Sequence, residues 1–372
     1  VGERQRIEIV RCLLQNPKLL ILDEPTSVLT PQEADRLFET LRQLSGEGCA
    51  ILYISHKLAE VKALCGRATI LRGGRVVATC EPATMSAREM AELMIGKRLS
   101  PPKRRPRPIG EAPRLLVDHL SLSADSTFGT DLDEVSLAVR GGEILGIAGI
   151  AGNGQRELMA ALTGESPVPE RPEAILLDGT AVAHLGPKAR RARGAAFVPE
   201  ERHGQGAVTD MTLTENAFLT AFHRLKLALH GWISGTRSRR YADRVIEDFD
   251  VRTTGWSATA GSLSGGNLQK FIVGREILQR PGVLVVSQPT WGVDAGAAAA
   301  IQRALLGLAD EGAAVIVISQ DLDEILQISD RVAVISGGRL SAARPTEAIG
   351  VKEIGLLMGG MQEHGVEAAA DD

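Results

Sequence analysis

The sequence predicts an α/β protein built as two tandem copies of one domain, the first copy incomplete. Three observations carry this. Leu19-Leu20-Ile21-Leu22 is a short apolar run that stops at Asp23-Glu24-Pro25, the pattern of a strand buried on both faces. A glycine loop, Gly149 to Gly154, separates a strand-like run from an amphipathic helical stretch. The chain also repeats itself at a fixed offset: Asp23-Glu24-Pro25-Thr26 aligns with Ser287-Gln288-Pro289-Thr290, 264 positions on (287 − 23). The same offset pairs Arg11 with Arg275, Gln15 with Gln279, His56 with Gln320 and Gly73-Gly74-Arg75 with Gly337-Gly338-Arg339. So long a period means duplicated domains rather than a solenoid.

The totals narrow the classes. A chain of 372 residues is long enough for two cores. A net charge of −4 and 3% aromatics give neither the basic field nor the stacking platforms of a nucleic-acid binder. No apolar run approaches the roughly 20 residues of a membrane helix. Cys12, Cys49, Cys65 and Cys80 are widely spaced, fit no metal pattern and read as reduced packing residues. There is no signal-peptide pattern.

In the first copy, residues 1–16 read as a helix ending at Asn16-Pro17. The Leu19 strand follows, and Pro25 ends it because proline cannot donate to a sheet ladder. Asp23 and Glu24 are thereby pushed out at the carboxyl end of a parallel strand, where open α/β sheets bind ligands. Adjacent carboxylates there suit a division of labour, one holding Mg²⁺ and one orienting or deprotonating water. Gln32 to Leu44 is an amphipathic helix, and Ala50 to Ser55 a second buried strand ending at His56. Lys97 to Pro113, with Pro101-Pro102 and Lys103-Arg104-Arg105, reads as a stiff, solvated, basic linker.

In the second copy, Arg114–Val117 and Val135–Val139 read as strands. Gly142 to Ala148 runs into Gly149, Gly152, Asn153, Gly154 and Gln155, an anion cradle at a helix N-terminus. The phosphate-loop pattern then requires Lys and Ser/Thr, whereas Gln155 and Arg156 stand here, so the lysine charge and the metal-binding hydroxyl are gone. Ala195 to Val198 is a strand before Pro199-Glu200-Glu201-Arg202-His203-Gly204, and Thr212 to Phe249 is mainly helical. Ser264-Gly265-Gly266-Asn267 opens another helix, with Ser264 a natural N-cap and the glycines leaving N–H groups open to phosphate. Val283 to Val286 is the strand before Ser287-Gln288, and Asp294 lies beyond it. Gln362 to Asp372 reads as a polar tail.

These motifs together resemble ABC-transporter ATP-binding subunits. Val1-Gly2-Glu3-Arg4-Gln5 resembles the tail of the ABC signature, Leu19 to Thr26 a Walker B strand with its catalytic glutamate, Ser27 to Thr30 a D-loop and His56 the switch histidine. Ser262 to Lys270 resembles a complete signature and Pro199 to Gly204 occupies the Q-loop place. The resemblance implies two tandem P-loop NTPase domains of ABC type, each a mixed sheet core with a helical subdomain. Residues 1–96 would be the C-terminal part of the first domain, 97–113 the linker, 114–360 a second, degenerate domain and 361–372 the tail. It implies ATP and Mg²⁺ as cofactors: Asp23 for the metal, Glu24 for the attacking water, His56 for the γ-phosphate. In that family two domains face each other head to tail, so Asp23, Glu24 and His56 would share one ATP with Ser264, Gly265, Gly266 and Asn267. The other site would join Gly149, Gly152, Asn153, Gly154 and Gln155, with Ser287, Gln288 and Gln320, to Val1-Gly2-Glu3.

Twin domains with Leu-Ser-Gly-Gly-Asn are similar to the subunits that drive importers of simple sugars and nucleosides, and the altered second site favours the nucleoside branch. The implied partners are membrane permease subunits and, indirectly, a periplasmic or lipid-anchored solute-binding protein, with no nucleic acid. The implied location is the cytoplasmic face of the inner membrane. The alternatives are a soluble twin-ABC ATPase acting on ribosomes or DNA, and a non-hydrolysing nucleotide-binding fragment.

Overall fold

A computed structural model describes residues 7, 11–12, 15, 17–26, 29, 31–55, 57–72, 74–95, 104, 106–125, 129–229 and 231–360. The helix expected over 1–16, His56 and the tail therefore lie outside or mostly outside the described residues. The chain divides into two compact units: Val1–Pro101 with Asp294–Gly296, and the remainder from Pro102 onward.

In the first unit, β1 (Leu19–Asp23) pairs in parallel with β2 (Ala50–Ile54) across helix α1 (Pro31–Gly46). Helix α2 (Leu58–Leu64), an antiparallel pair β3 (Ala68–Arg72) and β4 (Arg75–Cys80), and helix α3 (Ala87–Ile95) follow. Leu20 and Leu22 are buried with Leu37, Leu41 and Cys49. The expectation that β1 and β2 are buried on both faces is not met: Leu19, Ile21, Leu52 and Ile54 are 46–58% exposed. Strand alternation sends them to the opposite face, which no described layer of this unit covers.

The second unit is built around a mixed seven-stranded sheet in the order β10-β13-β14-β7-β15-β16, with β17 also on β15. Its parallel members are β7 (Ile144–Ala148), β10 (Ala195–Val198), β13 (Val283–Ser287), β14 (Ala314–Ser319) and β15 (Arg331–Ser336). The short β16 (Arg339–Leu340) and β17 (Arg344–Pro345) are antiparallel to β15. A second, antiparallel sheet joins β5 (Pro113–Leu122), β6 (Leu132–Arg140), β8 (Ile175–Leu177) and β9 (Thr180–Ala181). Between the two sheets lie α4 (Gln155–Thr163) and one core; α5 (Pro187–Ala192) follows before β10. On the other face, α6 (Leu213–Ala221), α7 (Gly235–Asp248), α8 (Gly265–Ile277), α9 (Ala295–Asp310), α10 (Leu322–Ile328) and α11 (Val351–Met358) contribute to the second core. Apart from Ser287, Ser319, Arg331 and Ser336 at their ends, the parallel strands are continuous runs of apolar residues and glycine, because both faces are covered.

Thr212–Phe249 is mainly helical, in two pieces: a hairpin of β11 (Ala228–Leu229) and β12 (Trp232–Ile233) separates α6 from α7. One expectation about this unit is corrected. The end of the linker is exposed at Pro106 and Pro108–Ala112 but is not wholly solvated: the Arg107 side chain is buried, donating from Nε to the Gly142 carbonyl and pairing with Asp330, while Arg104 bonds the Ser329 carbonyl and Glu347. A guanidinium with fixed acceptors on a folded surface holds the proline-rich segment down. Strand β5 also begins at Pro113, inside the expected linker.

The 264-residue repeat extends to the backbone. Leu19↔Ala50 through Asp23↔Ile54 has its counterpart in Val283↔Ala314 through Ser287↔Ile318. Helices α1 and α9, and α2 and α10, begin and end at equivalent positions.

Candidate functional site

At the end of β1, Asp23 is exposed and Glu24 half-buried. Glu24 has a left-handed backbone, φ 46°, and its N–H donates to the Ile54 carbonyl at 2.9 Å. That bond closes the carboxyl ends of β1 and β2 and lets the chain turn sharply into buried Pro25 and Thr26. Among the described residues no three His, Cys, Asp or Glu cluster for a metal. Two adjacent hard carboxylates nevertheless fit Mg²⁺, which takes one or two carboxylates and fills its shell with phosphate and water.

The second unit repeats this turn without the acids. Gln288 has φ 50° and its N–H donates to the Ile318 carbonyl at 2.8 Å. Ser287 and Gln288 are both buried. The Gln320 N–H faces Gln288 Oε1 at 3.5 Å. A serine hydroxyl and a carboxamide offer no carboxylate, so this donor set does not fit a strongly bound Mg²⁺.

The glycine loop is formed as expected. Gly152 and Gly154 have φ 87° and 106°, and α4 starts at Gln155 without a side-chain cap. The Gln155 side chain is buried and folded back into its own loop: Nε2 donates to the Ile150 carbonyl at 2.7 Å, and Oε1 accepts the Asn153 N–H at 3.2 Å. A Cβ on Gly149 would stand 2.9 Å from the Ile335 carbonyl oxygen as well as 2.5 Å from Gln155 Nε2, so the backbone approach favours glycine there. Asn153 braces the loop, its Oδ1 accepting the Gly337 N–H at 2.9 Å. Arg156 is exposed.

Ser264 precedes α8 with extended backbone but makes no side-chain cap, contrary to expectation. Its Oγ instead accepts from Asn267 Nδ2 at 2.9 Å, which leaves the first N–H groups of Gly265 and Gly266 uncapped by it. Arg202, from the Pro199–Gly204 segment, lies over the Trp291 ring at 5.7 Å and would meet a Cβ on Gly265 at 2.8 Å. The helix is tied to both neighbouring motifs: Gln269 Nε2 donates to the Pro289 carbonyl at 3.0 Å, and Arg275 Nη2 to the Gly206 carbonyl at 2.8 Å. Asp294 Oδ1 accepts the Gly296 N–H at 2.9 Å.

Two acids went unnoticed in the sequence. Glu60, on α2, accepts from Thr26 Oγ1 at 2.5 Å, Tyr53 OH at 2.6 Å and Ser55 Oγ at 3.3 Å. Its equivalent Glu324 is buried and accepts from Ser319 Oγ at 2.8 Å. Burial pushes Glu324 up to about 7, with Asp321 adding to the rise and the Ser319 and Thr290 hydroxyls opposing it. The 264-residue spacing pairs these two glutamates and was the available signal.

Comparison with known proteins decides the family. The ABC transporter family matches residues 1–27 and 132–291. The nucleoside import ATP-binding protein NupA of Lactococcus lactis subsp. cremoris is 39% identical over 360 residues, covering 97% of this chain and 71% of its own length. The chain belongs to the ABC transporter ATP-binding family. Another ABC relative, the glucose import ATP-binding protein TsgD13 of Haloferax volcanii, is 40% identical over 362 residues, 97% of this chain and 65% of that protein. The guanosine import ATP-binding protein NupO of Bacillus subtilis is 37% identical and is spanned over 70% of its length. The ATP-binding cassette MJ0796, in a post-hydrolysis state bound to ADP and Pi, has the same fold: TM-score 0.53 at 20% identity, over 62% of this chain and 98% of that one. The architecture is thus the P-loop ABC ATPase fold with a mixed sheet. No helix among the described residues is long and apolar enough to cross a membrane.

Proposed function

We propose that this chain is part of an ATP-hydrolysing subunit that drives a membrane importer for nucleosides or simple sugars, with one competent and one degenerate set of catalytic groups. The observation that carries the reading is the paired turn: acids at Asp23 and Glu24, a hydroxyl and a carboxamide at Ser287 and Gln288, on matching backbones. Glu24 orients and deprotonates the attacking water, and Asp23 holds Mg²⁺, which when bound stabilises charge on the transferred phosphate. His56 contacts the γ-phosphate. Ser264, Gly265, Gly266 and Asn267 offer phosphate an open helix N-terminus. Gly149, Gly152, Asn153, Gly154 and Gln155 form a phosphate cradle that binds weakly, because Gln155 occupies it and no lysine replaces that charge.

Residues 1–96 form the C-terminal part of one ABC domain and 114–360 a second, with 97–113 between them and 361–372 a tail. The apolar face of β1 and β2 supports this. Leu19, Ile21, Leu52 and Ile54 correspond to Val283, Val285, Ile316 and Ile318, which are at most 2% exposed under α4 and the antiparallel sheet. A covering layer of that kind is what the first unit's sheet is patterned to take.

The partners are permease subunits, with a periplasmic or lipid-anchored solute-binding protein acting through them and no nucleic acid involved. The subunit sits peripherally on the cytoplasmic face. The relatives' names include nucleoside, guanosine and glucose import; the altered second turn favours nucleosides. Uptake of labelled nucleosides and sugars by cells lacking the protein tests this. Loss of nucleoside uptake alone supports the nucleoside reading, and loss of sugar uptake alone transfers the assignment to sugars. Unchanged uptake of both overturns the importer reading.

A further inference from the structure

We propose that Glu60 is a positioning residue for ATP hydrolysis, clamping the turn that carries Glu24 to the strand end that leads into position 56. The proposal rests on Glu24 being the catalytic acid. Thr26 is two residues beyond Glu24, and its hydroxyl donates to Glu60 Oε1 at 2.5 Å. Tyr53 and Ser55, from β2 and the residue after it, donate to Oε2 at 2.6 and 3.3 Å. The Lys57 N–H donates to Ser55 Oγ at 3.0 Å, and the Lys57 ammonium lies 3.6 Å from Oε1. One carboxylate on α2 therefore joins both loops that bear reacting groups, with the two oxygens divided between them.

The same joint exists in the second unit, but poorer. Glu324 takes the Ser319 hydroxyl and interacts with that of Thr290, the counterpart of Thr26, and Ser319 Oγ accepts the Asp321 N–H at 3.1 Å. Val317 stands in place of Tyr53, and Asp321 in place of Lys57. The phenol and the ammonium are therefore particular to the copy that holds Asp23 and Glu24. A carboxylate with a cation and three hydroxyl donors around it is held in one orientation, as positioning requires. Burial, Glu60 itself and their charge repulsion push the Tyr53 phenol well above its ordinary range, so it stays a donor. Glu60 need not touch nucleotide to matter, since displacement of a reacting group by about 1 Å costs up to about 100-fold in rate.

The test is steady-state ATP hydrolysis by the full-length protein in its membrane complex, with thermal stability measured alongside. Glu60→Ala and Thr26→Val should each lower kcat about 10- to 100-fold, with KM for ATP moved less than about threefold. The double variant should be no slower than the slower single, because both break one joint. Glu60→Gln, which keeps the shape and one acceptor oxygen, should recover most of kcat. Unchanged kcat in both Glu60→Ala and Thr26→Val, or effects that multiply in the double variant, overturns the proposal. If Glu60→Ala does not fold, unchanged kcat in Thr26→Val alone does so. Glu24→Gln is the control: if it leaves hydrolysis intact, the underlying assignment fails and the proposal with it, whereas its inactivity beside a fully active Glu60→Ala rejects the clamp alone.

Discussion

Glu24 and Gln288 stand 264 residues apart (288 − 24) on the same turn: each has a left-handed backbone, and each donates its N–H to the carbonyl of an isoleucine, Ile54 or Ile318, near the carboxyl end of the neighbouring strand. The left-handed conformation is uncommon for a residue with a side chain. Its retention in both copies shows that the turn is fixed by the strand pair and the following proline, not by the acid. Chemistry has changed at Gln288 while the backbone that aims the side chain has not. Converting Ser287 and Gln288 to Asp and Glu together should therefore leave the fold intact, with melting temperature within a few degrees.

Gln155 is the second place where a side chain departs from the expected pattern. Its carboxamide oxygen shares the Asn153 N–H with the Ile150 carbonyl, at 3.2 Å each. Gln155→Lys should remove that internal acceptor and supply a compact cation, tightening ATP retention by the second unit about tenfold, equivalent to ~1.4 kcal/mol. Photolabelling with an azido-ATP, mapped to the Gly149–Thr163 segment, reads this directly. Labelling as strong in the unaltered chain as in Gln155→Lys would show that the folded-back carboxamide is no obstacle.

Glu324 makes stability depend on pH. Its folded value is raised from an ordinary 4.5 to about 7 chiefly by burial. The folded state therefore holds a proton that the unfolded chain releases. The stability this contributes is complete below about pH 4.5, drains away as pH rises, and is lost above about 7. Glu324→Gln is neutral throughout, so the variant should gain on the unaltered chain between pH 5 and 8. Urea denaturation across that range measures the difference, and a pH-independent difference would place the proton elsewhere.

Arg190 holds the end of the phosphate-loop helix. It is fully buried and donates to the carbonyls of Leu185, Leu162 and Ala183 at 2.9 Å each, and to that of Ala161. Burial lowers it to about 10, so it remains charged at neutral pH. A cation at a helix C-terminus also complements the macrodipole of α4. Arg190→Met fills the volume but takes the guanidinium from four carbonyls, of which that of Ala183 keeps the Val168 N–H, and should cost about 3 kcal/mol in chemical denaturation. A loss below about 1 kcal/mol would show that other donors replace it.

Much of this was legible from periodicity. The strand-loop-helix at Gly149, the helix start at Ser264 and the paired turns all follow from short apolar runs and the glycines and prolines that bound them. The exposure of Leu19 and Ile21 was not legible, because an apolar run reads the same whether one face or both are covered. Ser264 was a cap by residue type, yet Asn267 competes for its hydroxyl, which only geometry reveals. The Thr212–Phe249 hairpin was hidden by leucines at helical spacing. Glu60 was not singled out, because its meaning lies in hydroxyls contributed by two other segments. Arg107 looked like part of a solvated linker for the same reason: its acceptors are Gly142 and Asp330, far along the chain.

The central claim is that hydrolysis depends on the acid of the first unit and not on the altered turn of the second. ATP turnover by the full-length protein in its membrane complex, comparing Glu24→Gln with Gln288→Glu, tests it most directly. Glu24→Gln should reduce turnover about 10²- to 10⁴-fold, while Gln288→Glu should leave it unchanged. Equal activity in Glu24→Gln and the unaltered protein, or a large gain from Gln288→Glu alone, would contradict the account.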